Sequence, residues 1–142
     1  LKITNDTNKM LEELLKTPNI EAILAEDISE KVIIMRKYDT FLRYIYPIAL
    51  KIPNEHKYIK DSFFVTLFEN IDLINKALKT DQVSKLYEID SNISSIRYKI
   101  KFLSSDRIRA ISPDQQKICS IILCEVGSIL NSWISNKQKH KK

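Results

Sequence analysis

A chain of 142 residues that holds a single glycine, Gly127, cannot close many tight turns. Glycine supplies the positive φ that hairpin turns need without steric cost, so an all-β domain of this length requires many of them. Proline, the other residue that punctuates a chain, occurs only four times. A few long helices with short connections are the architecture left. The many isoleucines favour strands by propensity. Their spacing overrules that preference, because apolar residues recur every third or fourth position instead of every second.

The first main segment with this spacing is Glu30 to Leu50, where Ile34, Tyr38, Phe41, Leu42, Ile45, Ile48 and Ala49 share one face. Pro47 is expected to kink it or end it early. In the turn that follows, Asn54 is the expected N-cap of a second helix from Glu55 to Lys79. Ile59, Phe63, Phe64, Leu67, Phe68, Ile71, Ile74 and Leu78 form its stripe. Asp81 is expected to cap a third helix, to about Ser104, with Val83, Leu86, Ile89, Ile93, Ile96, Ile100 and Leu103 inside. So short a connection makes these two helices antiparallel neighbours.

The run Ser104 to Ile111 reads as a polar, basic loop. Ser112-Pro113-Asp114-Gln115 is a helix start, with Ser as N-cap, Pro at the first helical position and Gln completing a capping box. The fourth helix runs to about Ser135 through Ile118, Ile121, Ile122, Val126, Ile129, Leu130 and Trp133. The expected fold is all-α, an antiparallel up-down four-helix bundle over residues 30–136. A short N-terminal helical extension over 1–29 precedes it, and a basic, disordered tail over 137–142 follows. The extension holds two short amphipathic pieces, Lys9 to Lys16 and Asn19 to Glu26, interrupted at Thr17-Pro18.

Charge divides the chain unevenly. Residues 1–30 carry three Lys and seven Asp or Glu, whereas residues 31–142 carry 20 Lys or Arg and 11 acids. The total of +5 therefore hides an acidic leader on a basic body, and a surplus of that size points to a polyanionic partner. A lysine-rich solvated surface is the competing account. The cations most suited to phosphate are Arg97 and Lys101, stacked at i, i+4, with Arg107 and Arg109 in the next loop; together they are expected to form one patch. Lys76 and Lys79 at the end of the second helix, and Lys85 across the turn, are further candidates.

No catalytic set is recognisable. A di-iron bundle needs inward Glu-x-x-His pairs, and the two histidines, His56 and His140, fall in a turn and in the tail. A thiolate zinc site needs more than Cys119 and Cys124, and one glycine makes no phosphate loop. Helical-bundle nucleases pair Arg with His on the last helix, and no such pair occurs. No metal or other cofactor is expected, and the protein reads as a non-enzyme. Glu125 is expected at the core edge, paired with a Lys or Arg across the bundle. Both cysteines read as buried, reduced thiols, which with the absence of a secretory signal or an 18-residue apolar run suggests the cytoplasm and no membrane partner.

Several runs resemble a known family. Tyr38-Asp39-x-Phe41-Leu42-x-Tyr44-Ile45-Tyr46-Pro47, then Lys51-Ile52-Pro53 and Lys57-Tyr58, are similar to the opening of the accessory variability determinants of diversity-generating retroelements. These are four-helix bundles related to the proteins encoded by intervening sequences of 23S rRNA genes. The middle, Leu86-Tyr87-Glu88-Ile89-Asp90 and Ile96-Arg97, and the ending, Glu125-Val126-Gly127 through Leu130-Asn131-Ser132-Trp133-Ile134, resemble the same family in order and spacing. The sequence departs from the family pattern at Asn131-Ser132, which stand where it has a glycine pair, and in its acidic leader. The resemblance implies a homopentamer that binds a reverse transcriptase and its template RNA in support of mutagenic cDNA synthesis, with no active site of its own; the polyanion expected of the basic body is RNA or DNA. The alternative from the residues alone is a helical protein–protein adaptor that binds no nucleic acid.

Overall fold

The computed structural model describes residues 30–139, so the leader and the last three residues lie outside the described range. Four helices account for most of it: α1 Glu30–Leu50, α2 Lys57–Thr80, α3 Val83–Leu103 and α4 Pro113–Lys139. A single 3-10 turn, Asn54–His56, precedes α2, and there is no strand among the described residues. Each helix packs on its neighbours in the chain, and α4 closes the ring on α1. Cross-helix contacts give the direction of each helix. Lys60 near the start of α2 reaches the end of α1, Lys137 near the end of α4 pairs with Asp81 before α3, and Lys37 on α1 pairs with Glu125 on α4. The fold is the expected up-down bundle.

One apolar row per helix builds the core. Ile34, Tyr38, Phe41 and Ile45 enter from α1, and Phe63, Leu67 and Ile74 from α2. Leu86, Ile89, Ile96 and Leu103 enter from α3, and Cys119, Val126 and Leu130 from α4. Each large side chain removed from water contributes about 1.5–3 kcal/mol, so these rows outweigh every surface contact. Two of the expected stripes are rotated. On α4, Ile118 and Ile121 are exposed, and Cys119 and Leu123 take the inward positions. On α2, Phe68 is 45 % exposed, while Asn70, Leu73 and Ala77 are buried. Both helices are apolar over a wide arc, and the neighbouring helices select which part of that arc is covered.

The helix ends also differ from expectation. Pro47 lies inside α1 and neither ends it nor shortens it. Pro47 and Arg43 are both exposed, so water can satisfy the Arg43 carbonyl that the missing N–H leaves open. Asn54 does not cap α2; it opens the 3-10 turn, and α2 starts at Lys57 without a side-chain cap. The Lys60 ammonium instead holds the connection, donating to the carbonyls of Leu50 and Ile52 at 3.0 Å each. Asp81 does not cap α3 either. It ends α2 in the left-handed region at φ 57°, a conformation that Asp tolerates better than most residues, and its carboxylate pairs with Lys137. The capping box at α4 forms as expected: Gln115 N–H donates to Ser112 Oγ at 3.1 Å and Ser112 N–H to Gln115 Oε1 at 2.9 Å. Beyond Ser135 the helix continues to Lys139, so Lys137 belongs to α4 and not to a loose tail.

By length and mean hydropathy alone α4 is able to cross a bilayer. In the bundle it is a wall, with one face in the core and a second face of Ser128, Asn131, Ser132 and Ser135 along a polar groove.

Among the described residues one polar side chain, Asn70, is fully buried in the core. Tyr38 donates its hydroxyl to the Leu67 carbonyl at 2.6 Å, and burial raises its pKa above the usual tyrosine value. Asn70 flanks that hydroxyl closely enough to favour its ionised form, yet neither Nδ2 nor Oδ1 of Asn70 has a hydrogen-bond partner. A buried, unpaired amide costs about 1–3 kcal/mol. Asn70→Leu is therefore expected to stabilise the fold by about that amount, read as a higher urea midpoint at unchanged slope. A lowered midpoint would show that the amide is satisfied in solution.

Candidate nucleic-acid interface

The C-terminal half of α3 organises the cationic surface. Ile96, Ile100 and Leu103 turn inward, and at 100° per residue this sends Arg97, Tyr98, Lys101 and Phe102 to successive positions around the outside. Arg97 leans toward α4, where its guanidinium donates to Cys124 Sγ at 3.6 Å. It stands at the edge of an open groove of about 680 Å³, lined also by Gly127, Ser128, Asn131 and Ser132. A smaller recess of about 200 Å³ beside it is lined by Arg97, Lys101, Gln116 and Ser120. Gly127 has nothing within 4 Å of where a Cβ would stand, so no close helix approach depends on it.

The loop after α3 is apolar at its root and basic at its tip. The Leu103 carbonyl accepts from the N–H groups of Ala110 at 2.8 Å and Ile111 at 3.1 Å, and Ile111 is fully buried. This closure pushes Arg107 and Arg109 outward. Arg109 is left-handed at φ 45°, and its guanidinium is 4.0 Å from Asp106. Ser104 donates to Gln116 Oε1 at 2.8 Å, which ties the end of α3 to the start of α4.

Lys101, Arg107 and Arg109 thus lie at one end of the bundle, with Arg97 one turn down α3. Lys76, Lys79 and Lys85 lie at the opposite end, around the α2–α3 connection. The rise of α3 from Lys85 to Lys101 separates the two groups by about 24 Å.

Ion pairing sorts the cations further. Lys37 is spoken for by Glu125 at 2.6 Å, as expected for that carboxylate, Arg43 by Asp39 at 2.8 Å, and Lys85 by Glu88 at 3.2 Å. Lys99 donates to Thr66 Oγ1 at 2.9 Å, and partial burial holds its pKa below the usual lysine value. Among the described residues no carboxylate pairs with Arg97, Lys101, Arg107, Lys76 or Lys79. His56 has only Glu55, at 3.5 Å, and no three His, Cys, Asp or Glu side chains converge among the described residues.

Tyr98 and Phe102 lie on this surface too, and their spacing among Arg97, Lys99 and Lys101 is the sequence signal for them. The expected burial of both cysteines holds for one of them. Cys119 is buried, but Cys124 is exposed, because the two lie about 140° apart on a helix with one inward face.

The pattern of one protein family matches residues 32–137, from the first turn of α1 almost to the end of α4. The chain belongs to the bAvd-like family. That agrees with the resemblance to accessory variability determinants, an accessory and non-catalytic family. The bAvd-like region spans all four helices and leaves the acidic leader outside. No curated protein matches the chain.

The two thiols are expected to separate chemically. Burial pushes the Cys119 thiol up to about 11 from an ordinary 9.0, whereas Cys124 is open to reagent. At about pH 8, Ellman's reagent should titrate one thiol quickly in the native protein, and Cys124→Ser should remove that phase. Cys119 should react only after unfolding. The folded thiol keeps its proton to about pH 11 and the unfolded one to about 9.0, so stability should fall as pH rises through that window. Two fast thiols in the native state would contradict the assignment.

Proposed function

We propose that this bAvd-like protein is a non-enzymatic accessory subunit of a diversity-generating retroelement that binds template RNA, and DNA besides, together with a reverse transcriptase. The observation that carries the reading is the set of cations without a carboxylate partner among the described residues, Arg97, Lys101 and Arg107, on a bundle whose family match runs through all four helices. Guanidinium and ammonium groups without a carboxylate keep their full attraction for phosphate, and they grip the backbone without reading bases. Arg97 and Lys101 sit on a rigid helix, so little freedom is lost when they engage. Assembly as a homopentamer repeats the patch around an axis, and avidity then strengthens a modest contact. Arg109 serves the same patch, and Lys76, Lys79 and Lys85 form a second, weaker contact at the other end. The reading places the protein in the reducing cytoplasm, in keeping with its free cysteines.

Salt titration of RNA binding tests this. Affinity should fall linearly in log salt, with a slope of about −0.7 per neutralised phosphate on single strands. Reversing Arg97 and Lys101 to Glu should abolish binding with helicity and oligomer size unchanged. Reversing Lys76 and Lys79 should weaken it only in part. No binding at about 50 mM salt, where counterion release is strongly favourable, would leave a protein–protein adaptor as the function. Normal binding by the α3 variant would place the site elsewhere on the molecule.

A further inference from the structure

Two exposed aromatic rings lie in the middle of the cationic surface. Tyr98 is 67 % and Phe102 41 % exposed, although both side chains are large enough to bury profitably. They stack on each other, with centroids 6.4 Å apart and planes inclined by 29°. Lys101 lies between them in sequence and beside them on the helix surface, and Arg97 precedes Tyr98. The other exposed aromatics are placed differently. Tyr46 meets Phe64 and Phe68 edge-on in the α1–α2 groove, beside the Arg43–Asp39 pair. Tyr87 is 47 % exposed, and its hydroxyl accepts from Gln138. Tyr58, at 93 % exposure, forms no ring pair among the described residues. Only Tyr98 and Phe102 combine near-parallel rings with adjoining cations that have no carboxylate among the described residues.

We infer that Tyr98 and Phe102 form a stacking platform for unpaired bases, so that this end of the bundle takes single-stranded polynucleotide in preference to duplex. The inference rests on the nucleic-acid reading above and narrows its ligand. Phosphates follow Arg97 and Lys101, and unstacked bases lie against the ring pair next to them. Bases within a duplex already stack on each other and have no open face to offer, so the rings add nothing to duplex affinity. Every base has a π-face, so the platform is indifferent to sequence, consistent with cations that grip phosphate alone. Lys99, on the other flank of the rings, is held by Thr66 with Glu69 nearby. The carboxylate there disfavours phosphate, which directs the strand to the Arg97 side.

The test compares a short oligoadenylate, a blunt RNA duplex of the same length, and an abasic strand with the same phosphates. Wild type should bind oligoadenylate about 5- to 150-fold more tightly than the abasic strand, the range stacking of one base supports. Tyr98→Ala with Phe102→Ala should lose that difference while keeping duplex affinity, and Tyr98→Phe with Phe102→Tyr should retain it. Both rings are exposed, so helicity should survive, and circular dichroism checks it. Equal binding of oligoadenylate and abasic strand by wild type would overturn the platform but leave phosphate binding intact. Loss of all binding in Arg97→Glu, Lys101→Glu with the alanine variant unaffected would do the same. A change in oligomer size in the alanine variant would make the rings a contact between proteins and overturn the inference. If wild type binds none of the three probes, the platform falls together with the nucleic-acid reading.

Discussion

Tyr38, Leu67, Ile96 and Val126, one from each helix, belong to one continuous apolar core. Keeping that row out of water sets the rotation of every helix about its own axis. Rotation in turn decides which polar residues face out together. On α3, turning Ile96 and Ile100 inward commits Arg97, Tyr98, Lys101 and Phe102 to the surface whatever their own preferences. The surface ion pairs act within this frame. Each is worth about 0–1 kcal/mol, too little to rotate a helix against several buried isoleucines.

Net charge says less about a binding surface than the partners of each cation do. The basic body carries its surplus over all four helices, yet Lys37, Arg43, Lys85 and Lys137 are each matched by a carboxylate, and Lys60 and Lys99 serve hydrogen bonds inside the fold. Lys37, Lys60, Lys99 and Lys137 link separate elements of the bundle, whereas Arg43 and Lys85 pair within their own helices. Among the described residues Arg97, Lys101 and Arg107, like Lys76 and Lys79 at the opposite end, have no carboxylate to cancel their field, and the loop presents Arg107 because Ile111 anchors its root.

The polar interior is the second place where local and global demands part. Asn70 stands on the inward face of α2 because Phe63, Leu67, Ile74 and Ala77 fix that face. Its burial is a consequence of its neighbours' burial, and the amide meets the Tyr38 hydroxyl without forming a hydrogen bond of good geometry. Cys124 shows the converse: an apolar residue placed outside because Cys119 and Leu123 occupy the inward positions of the same turns.

The four helices of the bundle, their antiparallel order and the Ser112–Gln115 capping box were legible in the residues alone. One glycine rules out a turn-rich fold, and the capping box is a local hydrogen-bond pattern that needs no distant partner. The i, i+4 placement of Arg97 and Lys101, and the partner of Glu125 as a cation across the bundle, were legible for the same kind of reason. The rotation of α4, the exposure of Cys124, the roles of Asn54 and Asp81 and the opposition of the two lysine and arginine groups were decided by the tertiary structure. On α4 the apolar arc from Ile118 through Leu123 is wider than the contact with α1 and α3 can cover, so periodicity names several equivalent faces. Asp81 is drawn into the left-handed end of α2 beside Lys137, which is 56 residues away in the chain. A local rule cannot register a partner at that separation, and only packing of the four rows together brings such groups into contact.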